Sequence, residues 1–418
     1  LLLGVLAVNA QRNVAWVHGL DGDASSWENY NEIFDNERKI NSLRTSYNTD
    51  NGINNAGNQV RSAMNSFGNG AKNASNIGIG HSMGGLMIRD VDRTTTASNK
   101  VFGGYITVTS PNYGAPISNS LLDGSVTAAA QNACNKIADG PLAQVFSLPW
   151  GIVSNLATNT LCKKFIDNDL VQTLQGTPVT NADLRVGSPT INAINNYNSS
   201  LPRISMWGEE TSPVHWRMFG STLNNNDSSL LGPINSGRGV YHGFYVYNTS
   251  LAVVTGVAGF WNPFLWGLTA TYTYRATQWK KGRNWIDDSE NIWSSLIKTT
   301  RREAQKYWTN TWIPCAYPPR IEVQQKTAER LPPDEDCGEW KWVQRTRYVS
   351  VNYPSDGLLP QYTQELQGIP NDNKYKVEGA NHIEVRDMRS SSQGDITRLR
   401  FNQIFDRAPG DFFRTAKN

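Results

Sequence analysis

Cysteine, histidine and clustered charge are all scarce in this 418-residue chain. The four cysteines form no C-x-x-C pair and have no histidine beside them, which excludes a zinc site of the usual ligand spacing. Charged residues make up only 18% of the chain, and 39 basic side chains nearly cancel 36 acidic ones. No Lys/Arg cluster stands out as a nucleic-acid footprint, so nucleic acid is not an expected partner. No internal repeat occurs, which excludes solenoids and arrays. Long apolar runs are rare as well. The one stretch long enough to cross a bilayer, "SLAVVTGVAGFWNPFLWGLTATYTY" from Ser250 to Tyr274, is interrupted by Asn262-Pro263. Two packed helices joined at that dipeptide fit it better than a transmembrane anchor.

Several features point to export. The start, "LLLGVLAVNAQRN", carries no charge before Arg12 and reads as the end of a secretory apolar region. Val8-Asn9-Ala10 is its small-residue cleavage site and Gln11 the mature terminus; an N-terminal strand is the alternative. A secreted location, periplasmic or extracellular, suits the even cysteine count. Cys134–Cys162 and Cys315–Cys337 are the expected disulfides, each closing a local loop worth about 3 kcal/mol in the chain-entropy model.

At this length the chain can bury a large core. From Val14 to Ser110, short apolar runs alternate with helix-length segments. Strands are expected at Val14–Val17, Leu43–Tyr47, Ile77–Gly80 and Tyr105–Val108, with helices at "ASSWENYNEIF", "NAGNQVRSAMNSF" and Gly84–Arg93. This rhythm predicts an α/β fold with a mostly parallel sheet and helices on both faces. Two large, mainly helical insertions, at about 117–200 and 212–340, interrupt it. Between and after them the sheet should resume with Arg203–Gly208, Arg347–Val351 and Tyr375–Gly379. The domain plan is therefore a leader remnant over 1–10 and one catalytic domain over 11–418.

The chemistry centres on "IGIGHSMGGLMIRD", Ile77–Asp90. G-x-S-x-G between a strand and a helix is a nucleophile elbow, with Gly80 and Gly84 clearing space around Ser82. The Met83 amide, at the helix N-terminus, can donate to a developing oxyanion. A second donor should come from "WVHGLDGDASSW", where the Leu20 amide follows the first strand. A serine needs a base. Of five histidines, His18 and His81 belong to these motifs and His215 and His242 to the second insertion. His382, in "VEGANHIEV", follows the last strand and is the candidate base. The acid that orients it is Asp356 in "YPSDGLLP", with Glu209 and Glu210 after "RISMWG" as competitors.

Taken in order, "VHGLDGDASSW", "IGIGHSMGGL", "ITVTSPNYGAP", "SDGLLP" and "GANH" resemble the α/β-hydrolase superfamily of lipases and serine esterases. Within it the chain is most similar to secreted bacterial lipases and the GPI inositol-deacylase-like group. The likeness covers about 11–117 and 345–385, and hardly touches the insertions. It implies an α/β-hydrolase fold, Ser82 as nucleophile, Asp356 as acid, His382 as base, and Leu20 and Met83 as oxyanion-hole amides. Ser110-Pro111 should lie near the site. No cofactor and no metal are called for. The expected function is hydrolysis of a small-molecule or lipid ester through an acyl-enzyme, with Trp261 and Phe264 lining or capping the acyl pocket or, alternatively, forming the insertion's own core. An acyltransferase or a polyester or amide hydrolase would use the same triad. A surface-binding protein with a relic hydrolase fold is the non-catalytic alternative.

Overall fold

A computed structural model describes residues 11–67, 75–126, 177–210, 291–314, 338–386 and 392–418, with isolated positions at 128, 250, 276, 277, 280, 284 and 288. It falls into two compact units. One holds the chain up to Thr299 and from Tyr353 onward, and the other is Thr300–Asn352.

The first unit is built on a parallel sheet. Its strands are β1 (Arg12–Val17), β2 (Ile40–Arg44), β3 (Ile77–His81), β4 (Gly104–Val108) and β5 (Arg203–Glu209), completed by Lys374–Glu378 late in the chain. Their order is β2-β1-β3-β4-β5 and then Lys374–Glu378, with every pair parallel. Between them run α1 (Glu28–Glu37), α2 (Gly52–Ser66), α3 (Met83–Thr94), α4 (Pro116–Leu122), α5 (Pro178–Leu184) and α6 (Pro189–Asn196). Ser392–Phe405 closes the unit as a further helix.

Strand side chains alternate between faces, so each strand feeds two cores. Val14 and Trp16 point to the side of α1 and Ser392–Phe405, where they meet Tyr30, Phe34, Phe401 and Phe405. Trp16 lies 5.3 Å from Trp27 and 5.9 Å from Phe401, ring centre to ring centre. Such aromatic pairs add roughly 0.5–1.5 kcal/mol each beyond simple burial. Ala15 and Val17 point the other way, toward α2 and α3, with Val60, Met64, Leu86 and Met87. On β3 the alternation is isoleucine against glycine. Ile77 and Ile79 pack on the α1 side, and the glycine side leaves room for α3 to lie close against the strand.

The second unit is an antiparallel hairpin of β6 (Thr300–Pro314) and β7 (Gly338–Asn352), paired from Thr300↔Asn352 to Pro314↔Gly338. This corrects one expectation. Arg347–Val351 alternates like a strand, but its hydrogen bonds go to Arg301–Gln305 and not to the parallel sheet. A half-polar alternating strand suits a two-stranded ribbon with wet surfaces, whereas an interior parallel strand needs apolar residues on both faces. Lys374–Glu378, which follows in the chain, is accordingly β8 and pairs with β5.

The expected β2 at Leu43–Tyr47 lies slightly earlier, at Ile40–Arg44, because it pairs with β1 from Arg12↔Ile40 to Trp16↔Arg44. Both cysteine pairs, Trp261, Phe264, His215, His242 and the leader remnant fall outside the described residues. No helix among the described residues is long and apolar enough to cross a membrane.

The residues that flank the hairpin, both in the first unit, are joined to each other: the Tyr353 amide donates to the Thr299 carbonyl at 2.9 Å. Replacing 300–352 by a short Gly-Ser linker should therefore leave the parallel sheet intact. Far-UV circular dichroism and thermal unfolding are expected to show a folded chain whose Tm moves by only a few degrees.

Candidate active site

Parallel strands deliver their following loops to one edge, and that edge is where the candidate residues gather. The elbow is the tightest feature. Ser82 sits at φ 53° and ψ −129°, a left-handed conformation that costs a non-glycine residue on the order of 1–3 kcal/mol. Its amide donates to the Val108 carbonyl on β4 at 2.9 Å, and its carbonyl accepts from the Gly85 amide at 3.1 Å. A Cβ on Gly80 would collide with the backbone of Gly84 and Gly85, and one on Gly84 with the carbonyls of Val17 and His18. The two glycines are thus required by contact. From Asn76 to Asp92, Ser82 is the one residue that is not fully buried.

The loop after β1 lies directly against the serine, since a Cβ on Gly19 would touch Ser82 Cβ at 2.8 Å. Leu20 follows, packed partly into the α2–α3 core. Several contacts fix this loop. Trp27 Nε1 donates to the Val17 carbonyl at 3.0 Å, and the Gly22 amide to the Gly19 carbonyl at 3.2 Å. The Tyr47 ring stacks on His18 with centres 3.8 Å apart and planes 5° from parallel, while its hydroxyl donates to the His18 carbonyl. Met83 opens α3, so its amide belongs to the first turn, which has no intrahelical acceptor.

Asp356 and His382 are brought together twice. His382 Nδ1 lies 2.7 Å from Asp356 Oδ2, and the His382 amide donates to the Asp356 carbonyl at 2.7 Å. The other carboxylate oxygen, Oδ1, accepts from the amides of Leu358 and Leu359 at 2.9 and 2.7 Å. Both residues are buried. A carboxylate so placed is fully hydrogen-bonded, as a buried charge must be. Of the competing acids, Glu209 Oε2 is 3.2 Å from Lys376 Nζ, on neighbouring β8, and Glu210 is buried next to the Asp356 loop, its amide donating to the Ser355 carbonyl.

Ser82 is coupled to this pair through its neighbour. His81 Nε2 lies 2.8 Å from the His382 carbonyl, with ring centres 4.9 Å apart. A carbonyl only accepts, so Nε2 carries the proton. Burial, then the nearby His382 and Arg386, hold the His81 pKa well below 6.5. A neutral His81 therefore pins the His382 loop to the elbow. His18 is likewise lowered, chiefly by burial, and its Nδ1 faces the Gly19 carbonyl at 2.8 Å. Ser110 is at the site as expected, its Oγ donating to the Gly80 carbonyl at 3.2 Å beneath the elbow. The bracing work of His81 and Tyr47 could not be read from the sequence, because neither contact is local in the chain. Among the described residues no cluster of His, Cys, Asp and Glu could hold a metal ion.

If His382 is the base, His81→Ala should lower kcat by about ten- to a hundredfold with little change in KM, because the His382 loop loses its placement while substrate contacts remain. His81→Gln, which can still donate to the His382 carbonyl, should recover most of that loss. The same residue has a pH signature. Unfolded histidine takes up a proton below about 6.5, whereas buried His81 does not until lower pH. Its contribution to stability is complete above pH 6.5 and lost as pH falls, so the urea midpoint should drop on acidification and do so less steeply in His81→Gln.

No protein-family model matches the sequence, and neither does any curated protein. Solved structures do resemble it. Phospholipase PlaB from Legionella pneumophila aligns at 14% identity over 50% of this chain and 41% of its own, with a TM-score of 0.31. A thermophilic esterase from Thermogutta terrifontis aligns at 12% identity over 48% and 72%, with a TM-score of 0.28. An extracellular alpha/beta-hydrolase from a Paenibacillus species aligns at 13% identity over 47% and 77%, with a TM-score of 0.27. The aligned part thus spans less than half of the PlaB chain. The parallel strand order, the strained serine turn between β3 and α3, and helices on both faces make this chain an α/β-hydrolase in fold.

Proposed function

We propose that this protein is a serine carboxylic-ester hydrolase of the lipase and esterase kind, working through an acyl-enzyme. The observation that carries the reading is the buried 2.7 Å pair of His382 Nδ1 and Asp356 Oδ2 on the same sheet edge as Ser82. With Nδ1 given to the carboxylate, the imidazole presents Nε2 as the basic nitrogen. Ser82 Oγ attacks the ester carbonyl carbon as its proton passes to His382 Nε2. The new oxyanion is met by the amides of Leu20 and Met83. The C–O bond to the alcohol then breaks, and the alcohol leaves with the proton from Nε2. Water repeats the sequence on the acyl-enzyme, with His382 again accepting and returning a proton, and releases the carboxylic acid.

Asp356 holds the imidazole in one tautomer and offsets the charge that forms on it. Its supports are an intimate hydrogen bond, complete burial and two amide donors, none of which Glu209 offers toward His382. An apolar acyl group is the favoured cargo, on the composition of "GFWNPFLWG" around Trp261 and Phe264.

Initial rates on p-nitrophenyl esters from acetate to palmitate test this. Ser82→Ala and Asp356→Asn should each lose on the order of 10⁴-fold in kcat without unfolding. Glu209→Gln and Glu210→Gln should stay within a few-fold of the parent. Near-parental turnover in folded Ser82→Ala would remove the reading, and a larger loss at either glutamate than at Asp356 would move the acid.

A further inference from the structure

The β6–β7 ribbon has two unlike faces. Its register puts Trp308 opposite Gln344, Asn310 opposite Trp342, Trp312 opposite Trp340 and Ala304 opposite Tyr348. Because side chains alternate, all four tryptophans and Tyr348 share one face. Trp308, Trp340, Trp342 and Tyr348 are 61%, 64%, 67% and 64% exposed, and Trp312 is 41% exposed. From Arg302 to Trp312 and from Trp340 to Ser350, every residue on this face is exposed. The half-buried positions Glu303, Thr309, Thr311, Val343 and Val349 all lie on the other face. An exposed aromatic surface of this extent is the usual mark of an interaction site.

Charge says what that something is. The two strands carry six basic side chains (Arg301, Arg302, Lys306, Lys341, Arg345 and Arg347) against Glu303 and Glu339. Their net +4 exceeds the +3 of the whole chain, so the remainder is slightly acidic. The aromatic face carries Arg302 and Lys306 and no acid; the other four bases lie on the opposite face, where both glutamates offset half of their charge. Arg302 lies 5.8 Å from the Tyr348 ring centre, and Trp312 and Trp340 meet edge to face at 5.7 Å. Indole and phenol rings are amphipathic and settle at the boundary between headgroups and acyl chains, and Lys/Arg beside them meet the phosphates.

We propose that the Trp308/Trp312/Trp340/Trp342/Tyr348 face of the ribbon docks on the surface of an anionic phospholipid bilayer. This goes beyond ester hydrolysis and does not rest on it, because binding is measured without turnover.

The full chain is mixed with large vesicles of phosphatidylcholine alone or of equal parts phosphatidylcholine and phosphatidylglycerol, and sedimented. The protein should pellet with the anionic vesicles at low salt and bind them at least about tenfold more tightly than the zwitterionic ones. Trp308→Ser/Trp340→Ser/Trp342→Ser should abolish pelleting, and Arg302→Glu/Lys306→Glu should weaken it about tenfold or more. Tyr307→Ser, on the opposite face, should bind like the parent. These residues are exposed, so circular dichroism should be unchanged. Parental binding by the tryptophan variant, equal binding to both compositions, or no pelleting would overturn the proposal. So would retention on insoluble cellulose or chitin through the same tryptophans without vesicle binding, which would make the face a sugar platform.

Discussion

Everything at the sheet edge depends on how closely α3 approaches β3 and the end of β1. Ser82 keeps a left-handed backbone only because its amide is held by Val108 and its carbonyl by Gly85 on either side of the turn. The approach also requires that Gly80 and Gly84 have no side chains. Once α3 is seated, three consequences follow from the same few atoms. Ser82 becomes the one solvent-reached residue in a fully buried segment, Met83 starts a helix with an unclaimed amide, and His81 is turned to the His382 loop. Strain in the turn is offset by packing on both sides, so it need not relax.

Burial then decides the charges. Two imidazoles, His18 and His81, are kept in the neutral form by desolvation, and both spend a ring nitrogen on a backbone carbonyl. They act as rigid neutral braces, one under the loop that carries Leu20 and the other under the loop that carries His382. Asp356, by contrast, is buried with a full set of donors. The Asp356 carboxylate is therefore solvated by protein donors, beside two neutral imidazoles that do not compete for it. Such preorganised dipoles need no rearrangement when charge develops on a substrate.

The alternating core from Val14 to Val108 was legible because parallel strands buried on both faces leave uninterrupted apolar runs, and "IGIGHSMGG" carries its own geometry. That Asp356 would lie against His382 was legible for a partly mistaken reason. It was expected to follow a sheet strand at Arg347–Val351, yet that segment belongs to the β6–β7 ribbon. The Asp356 loop instead abuts the end of β5, with the Glu210 amide bonded to Ser355, as though the chain from 211 to 354 had been inserted between a strand and its own loop. Local periodicity distinguishes strand from helix, but not which sheet a strand joins. The hydrogen bond from His81 to His382 spans 301 residues, and the stacking of Tyr47 on His18 spans 29; contacts at such separations leave no local pattern.

The proposed activity requires Ser82 to be a nucleophile activated by His382 and Asp356. Its most direct test is covalent: incubation with a fluorophosphonate, proteolysis, and mass-spectrometric mapping of the adduct. Stoichiometric phosphonylation of Ser82 in the parent, much slower labelling in His382→Ala, and none at this position in Ser82→Ala is the expected result. An unlabelled Ser82 in the folded parent, or labelling at the same rate without His382, would show that Ser82 is not a nucleophile activated by His382.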